Sequence, residues 1–168
     1  MTDARWDDVF AHAKDAAGYF DGAVRLWGMI DVASEDRFAR LRDEMALMHF
    51  MQCGHTSVEA ALVSILEILD EQPPAKNDTW HVDLLNRIGR EMSGQHARPA
   101  IVGADMLADL QETRRFRHMA TRSYGRFDIA RAEPSMAAAR RVGEDLERLL
   151  RDFQVRMDPS DDHVSRPR

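Results

Sequence analysis

Read at about 100° per residue, Trp6, Val9, Phe10, Ala13, Ala17, Phe20, Val24 and Trp27 fall on one stripe of the first segment, with Asp, Lys and Arg opposite. That spacing predicts an amphipathic helix. A break over residues 31–34 follows, and Ser34 is placed to cap a second helix with Glu35 and Asp36 in its first turn. The apolar stripe of this helix runs through Phe38, Leu41, Met45, Met48, Val58, Leu62, Ile65 and Leu69, with a bend expected near Gly54. Prolines 73 and 74 make residues 72–77 a loop, because each lacks a donor and restricts its predecessor. Asp78 or Thr79 then caps a third helix that carries Trp80, Leu84, Leu85 and Ile88 and reaches Met92. After a loop over 93–99, a fourth helix is expected from about Gly103 to Gly125, a residue suited to the left-handed position that ends helices. Pro134, tolerated in a first turn, opens a fifth helix with Val142, Leu146, Leu149, Leu150 and Phe153 inward. No stretch alternates with the period of a strand, so the expected fold is all-α, a four- to five-helix bundle.

Composition adds boundaries to this picture. With 168 residues, 44% of them hydrophobic and 31% charged, the chain suits one globular domain. Residues 1–157 are expected to form it, and the polar stretch 158–168 to be a frayed tail. Cys53 is the single cysteine, which excludes an internal disulfide, and no Cys and His spacing suits a structural zinc site. The acidic first residues lack the apolar core of a signal peptide, and no run approaches the ~20 apolar residues of a membrane helix. A cytoplasmic protein with no membrane partner is therefore expected. The net charge of −6 disfavours indiscriminate binding to nucleic acid, but the charge is unevenly spread.

The fourth helix carries the informative pattern. Met106, Leu107 and Leu110 start an apolar stripe whose continuation is Thr113, Arg114, Arg117, His118, Thr121 and Tyr124. A core face that turns basic cannot run on into a dry interior, because an unpaired buried guanidinium is very costly, so it must line a cleft, a subunit seam or an anion site. Over residues 113–131 six arginines stand against one acid, Asp128, giving a net +5 inside an acidic chain. Arg117, His118 and Arg122 project within about 140° of one another on a helical wheel, a set that would converge on a phosphate. In the absence of a carboxylate pair or a metal cage, the chemistry open to Arg, His and Tyr is metal-free cleavage of RNA. An imidazole moves protons at the 2′-hydroxyl and the leaving oxygen while Arg stabilises charge at phosphorus. DNA lacks that hydroxyl, so the activity would be specific for RNA.

The string Arg117-His118-Met119-Ala120-Thr121-Arg122-Ser123-Tyr124-Gly125 resembles the signature of the HepT-like ribonuclease toxins of the HEPN superfamily. That signature is Arg, a polar residue, three variable residues, His, one residue and Tyr, close to the end of a helix. Arg98-Pro99-Ala100 ahead of the helix, the run Arg115-Phe116-Arg117-His118, and Trp80-His81 followed by Leu84-Leu85 are similar to the family too, over roughly residues 38–155. The resemblance implies a HEPN-type bundle and a homodimer whose two motifs face a composite cleft for RNA, often tRNA. It implies Arg117 as the catalytic arginine and His118 as the adjacent polar position, while Arg114, Arg122 and Arg126 of the basic stretch are read from their charge as RNA phosphate contacts. It further implies Tyr124 as the tyrosine to which a partner nucleotidyltransferase antitoxin attaches AMP, or else a residue lining the cleft. No cofactor and no metal are implied. The sequence departs from the signature at one place: Arg122 occupies the histidine position, and a guanidinium cannot act as a general base. His118, four residues earlier on the same face, is the stand-in acid or base, since imidazole ordinarily titrates at ~6.5.

Two other readings stay open. A non-enzymatic module of the same fold would keep Arg114, Arg117 and Arg122 for binding RNA, a nucleotide or a protein. A metal-binding bundle would use the scattered histidines His49, His55, His81 and His96, although the chain contains no Glu-x-x-His motif and Asp78 reads more simply as a cap. Next to Trp80, His81 reads as a packing and hydrogen-bonding residue. The methionines and Cys53 read as core packing.

Overall fold

A computed structural model describes residues 4–94, 97–122 and 128–157, with residues 119–122 and 130 described as backbone. Five α-helices follow in order: α1 (Arg5–Met29), α2 (Arg37–Ile68), α3 (Trp80–Ile88), α4 (Ala104–Arg122) and α5 (Glu133–Met157), with a 3-10 turn at Ile129–Arg131 before α5. Among the described residues the only β-type pairing is an isolated bridge between Met92 and Arg98. The fold is the expected all-α bundle. Its long helices form a ring in which α1 packs on α2 and α5, and α4 packs on α5 and α2, while short α3 rests against α2 and α4.

Close approach of α1 and α2 depends on glycine. A Cβ on Gly54 would stand 2.7 Å from the Phe20 ring, and one on Gly22 would stand 2.9 Å from the Phe50 ring. Gly54 therefore admits an aromatic ring to the helix backbone, and α2 runs unbroken through the position where a bend was expected. Phe20, Leu47, Met51, Leu62, Phe116 and Phe153 are among the large side chains that fill the interior.

Several element ends differ from the sequence reading. Asp36, rather than Ser34, is the N-cap of α2: its carboxylate accepts from the Ala39 amide at 3.0 Å, while the Ser34 hydroxyl accepts from the Asp36 amide at 3.2 Å. Either residue type suits the cap, and two in tandem let the helix start later. Thr79 stands at the N-cap of α3 but makes no side-chain cap bond, its hydroxyl donating to Asp83 at 2.7 Å instead. The third helix ends at Ile88, four residues short of Met92. The Ile88 carbonyl is taken by the Ile101 amide at 2.8 Å, and Met92 pairs with Arg98 through two backbone bonds.

A buried guanidinium ties this turn down. Arg98, 4% exposed, forms an ion pair with Glu71 just beyond α2, and its Nη1 and Nη2 donate to the carbonyls of Arg90, Pro99 and Arg87. Burial alone would raise the Glu71 carboxyl, but its bonds to Arg98 and Arg87 outweigh that and hold it below the ordinary carboxylate range. One side chain thus joins the end of α2, the end of α3 and the approach to α4.

The first part of the α2 stripe is uncovered. Phe38 is 78% exposed, and Leu41 and Met45 are also exposed, with Met29 and Val32 of the preceding segment beside them in sequence. The core face of α2 begins only at Leu47. Among the described residues no helix is long and apolar enough to cross a membrane.

Candidate functional site

Where the inner faces of α2 and α4 meet, both change from apolar to polar at the same level. On α2 the buried sequence Met51, Gly54, His55, Val58, Glu59, Leu62 places His55 and Glu59 four residues apart on the core side. On α4 the stripe Met106, Leu110 continues inward with Thr113 and Arg117. Helix α3 adds His81 from the third direction, so four polar side chains from three helices gather around one carboxylate, three of them in contact with it.

Glu59 is that carboxylate. It is 5% exposed, and His81 Nδ1 pairs with its Oε1 while Arg117 Nη1 donates to its Oε2 at 3.1 Å. His55, fully buried, brings Nε2 to 3.2 Å from Oε1, at an angle short of a well-formed hydrogen bond. A carboxylate only accepts, so the imidazole nitrogens facing it carry the protons. For neutral His55 this leaves Nδ1 as an acceptor, 3.1 Å from the Thr113 hydroxyl, which also lies 3.0 Å from the Leu110 carbonyl oxygen. For neutral His81 it leaves Nε2 as the unprotonated nitrogen, and Arg117 Nη1 lies against the ring, 3.3 Å from Nδ1 and 3.4 Å from Nε2. Trp80 meets the His81 ring edge-on, with centroids 4.9 Å apart.

The charge states follow from burial and contact. Removal from water holds His55 below its ordinary value, against the pull of the Glu59 carboxylate, so it is neutral at neutral pH. Burial would raise Glu59, but its contact with His55, the facing His81 and the charge of Arg117 together hold it low, so it is ionised. The guanidinium that could not sit unpaired in a dry interior is thus met by an internal carboxylate, an arrangement the sequence reading did not foresee.

Exposure grades across the cluster. His55 and Thr113 are closed off, whereas the side chains of Arg117 and His81 are 22% and 38% exposed. A cleft of about 500 Å³ has Glu59, Trp80, Thr56 and Lys76 on its wall, without Arg117 or His81.

The residues singled out in the sequence separate on α4. Arg117 turns inward onto Glu59, whereas His118, the next residue, is exposed. Arg114 is half-buried, and its Nε has no hydrogen-bond partner among the described residues. Arg122 is the last residue of α4, and its side chain, like the whole of Tyr124 and Arg126, lies outside the described residues. The basic excess of the segment is partly neutralised. Arg115 pairs with Glu112, Arg131 with Asp128 at 3.4 Å, and Arg117 with Glu59 from another helix.

The scattered histidines also resolve into separate settings. His55 and His81 share Glu59, His49 stands 3.5 Å from Cys53 Sγ on the exposed side of α2, and His96 lies outside the described residues. No three metal-binding side chains among the described residues are arranged to hold an ion. Around Glu59 the Arg117 guanidinium takes the place from which a cation would be drawn. Glu59 went unnoticed as a site residue, and Thr113 was seen only as part of the polar stripe on α4. The available signal was the His55-x-x-x-Glu59 pair, two polar residues lying on an otherwise apolar helix face.

Residues 46–157 match a protein family described as HepT-like protein. No curated protein and no solved structure matches the chain.

Proposed function

The chain belongs to the HepT-like protein family, and from that premise we propose that it is a metal-independent endoribonuclease of a toxin–antitoxin pair, acting on RNA of the tRNA class. The observation that carries this reading is the placing of Arg117: half-buried, held by Glu59, and in contact with the partly exposed His81 imidazole. A guanidinium fixed in this way is preorganised to stabilise charge that develops on a phosphoryl group. His118, exposed on the same helix, supplies an imidazole for proton transfer in place of the histidine that Arg122 replaces. Arg114, Arg122 and Arg126 contact the RNA backbone, and Tyr124 is the residue that a nucleotidyltransferase antitoxin modifies with AMP, or else lines the cleft. Cytoplasmic RNA is the substrate.

A homodimer completes the proposed cleft. The uncovered Phe38, Leu41 and Met45 stripe supports it, because a hollow of about 450 Å³ joins Leu41 and Met48 to Asp128 and Ile129, just past the signature segment. Arg37, Arg40 and Glu44 on the same wall give it both signs of charge, as a surface that pairs with itself requires.

Bulk tRNA incubated in chelator with the parent protein and with Arg122→His tests the reading. Fragments from the parent support the enzyme. Fragments from Arg122→His alone would make the natural protein the binding module instead, recognised by salt-sensitive RNA binding without turnover.

A further inference from the structure

Resting on the ribonuclease reading, we propose that His81, oriented by Glu59, is the general base of the reaction, a role that neither the signature nor its departure at Arg122 assigns. The geometry has three parts. Glu59 is buried and accepts from Nδ1 of His81, which fixes the ring and leaves Nε2 as the basic nitrogen. Arg117 Nη1 lies 3.3 Å from Nδ1 and 3.4 Å from Nε2, so the charge-stabilising guanidinium rests against the ring of the base. A nucleotide there would present its 2′-hydroxyl to the imidazole and a non-bridging phosphate oxygen to the guanidinium. His81 is also the most exposed member of the cluster, so a ribose can reach it, whereas His55 is closed off.

The groups facing His81 from the elements packed against it are Glu59 and His55 on α2 and Arg117 on α4. Glu59 acts through His81 and is therefore a positioning residue. In the step, Nε2 takes the proton of the 2′-hydroxyl, the 2′-oxygen forms a bond to phosphorus, and the bond from phosphorus to the 5′-oxygen breaks. The leaving oxygen takes its proton from a water molecule. The products are a 2′,3′-cyclic phosphate and a 5′-hydroxyl, and no co-reactant other than water is needed.

The test uses the full chain with tRNA in chelator and compares the parent with His81→Ala, Arg117→Ala and Glu59→Gln. The expected result is a loss of about 100- to 10,000-fold in the cleavage rate of His81→Ala, the usual span of general acid–base catalysis, with the chain still folded at the assay temperature and RNA still bound. The rise of rate with pH through the imidazole range should vanish in that variant, and added free imidazole should restore cleavage. Glu59→Gln should cut more slowly yet keep the rise with pH. Because this buried substitution can unfold the chain, the half-exposed His81 decides the matter. A parent that cleaves, an inactive Arg117→Ala and a His81→Ala as fast as the parent would overturn this inference alone. So would a slow His81→Ala that keeps its rise with pH and ignores imidazole. Intact RNA with the parent itself would overturn the ribonuclease reading together with it.

Discussion

At the scale of single residues, Glu59 organises the chemistry by giving two imidazoles and a guanidinium a common acceptor. His55 makes this cluster sensitive to pH. Its value in the folded chain is held below the ordinary 6.5, so between the two values the unfolded chain binds the additional proton and stability rises with pH. The contribution is complete above about 6.5 and is lost as pH falls through the folded value. The melting temperature should therefore drop between pH 7.5 and 5.5, and His55→Gln should flatten that drop, as calorimetry at the two pH values would show. An equal slope in the variant would move the effect elsewhere. Below the carboxylate range Glu59, Glu71 and Glu112, all held low, add to the loss in the same direction.

Arg117 was legible in the sequence because it interrupts an apolar stripe, which poses the question of what satisfies a guanidinium there. Its answer was not legible. Glu59 is one acid among many on helices that show charge to water, and only the packing of α2 against α4 reveals that this one faces inward.

At the scale of elements, five helices were readable from periodicity, since apolar stripes of this length have few alternatives. Their ends were less so. The caps of α2 and α3 were decided by which of several neighbouring Ser, Asp, Asn and Thr side chains reached an amide first. The early end of α3 was decided by Arg98, whose bonds come from residues distant in sequence. Truncating that residue strands Glu71 with Arg87 alone and frees three carbonyls. Arg98→Ala should therefore cost about 3 to 5 kcal/mol, as removal of one partner of a buried pair does, measured by urea denaturation. A change under about 1 kcal/mol would show that the turn is held by its backbone bonds.

The N-terminal third of α2 has the same periodicity as the core helices but no cover from the described residues. Its stripe was read as apolar and Met45 as core packing, but periodicity reports that a face must be buried without naming what buries it. If a second copy covers it, Phe38→Glu together with Leu41→Glu should yield a folded monomer in sedimentation. An unchanged mass would assign the dimer to another face.

At the scale of the whole molecule, an acidic bundle concentrates its positive charge on the far half of α4 and the segment leading to α5, and three of those arginines already have carboxylate partners. RNA binding should therefore depend on salt less steeply than the count of arginines suggests, each phosphate contact contributing a slope of about −0.7 to −0.9. The central claim is that Arg117, held by Glu59 and in contact with His81, is the charge-stabilising group of a metal-free ribonuclease. Its most direct test is the cleavage of purified tRNA in EDTA by the parent and by Arg117→Ala, with both proteins shown by melting to be folded. Discrete fragments from the parent alone are the expected result; equal cleavage by the two proteins, or intact RNA with both, would contradict it.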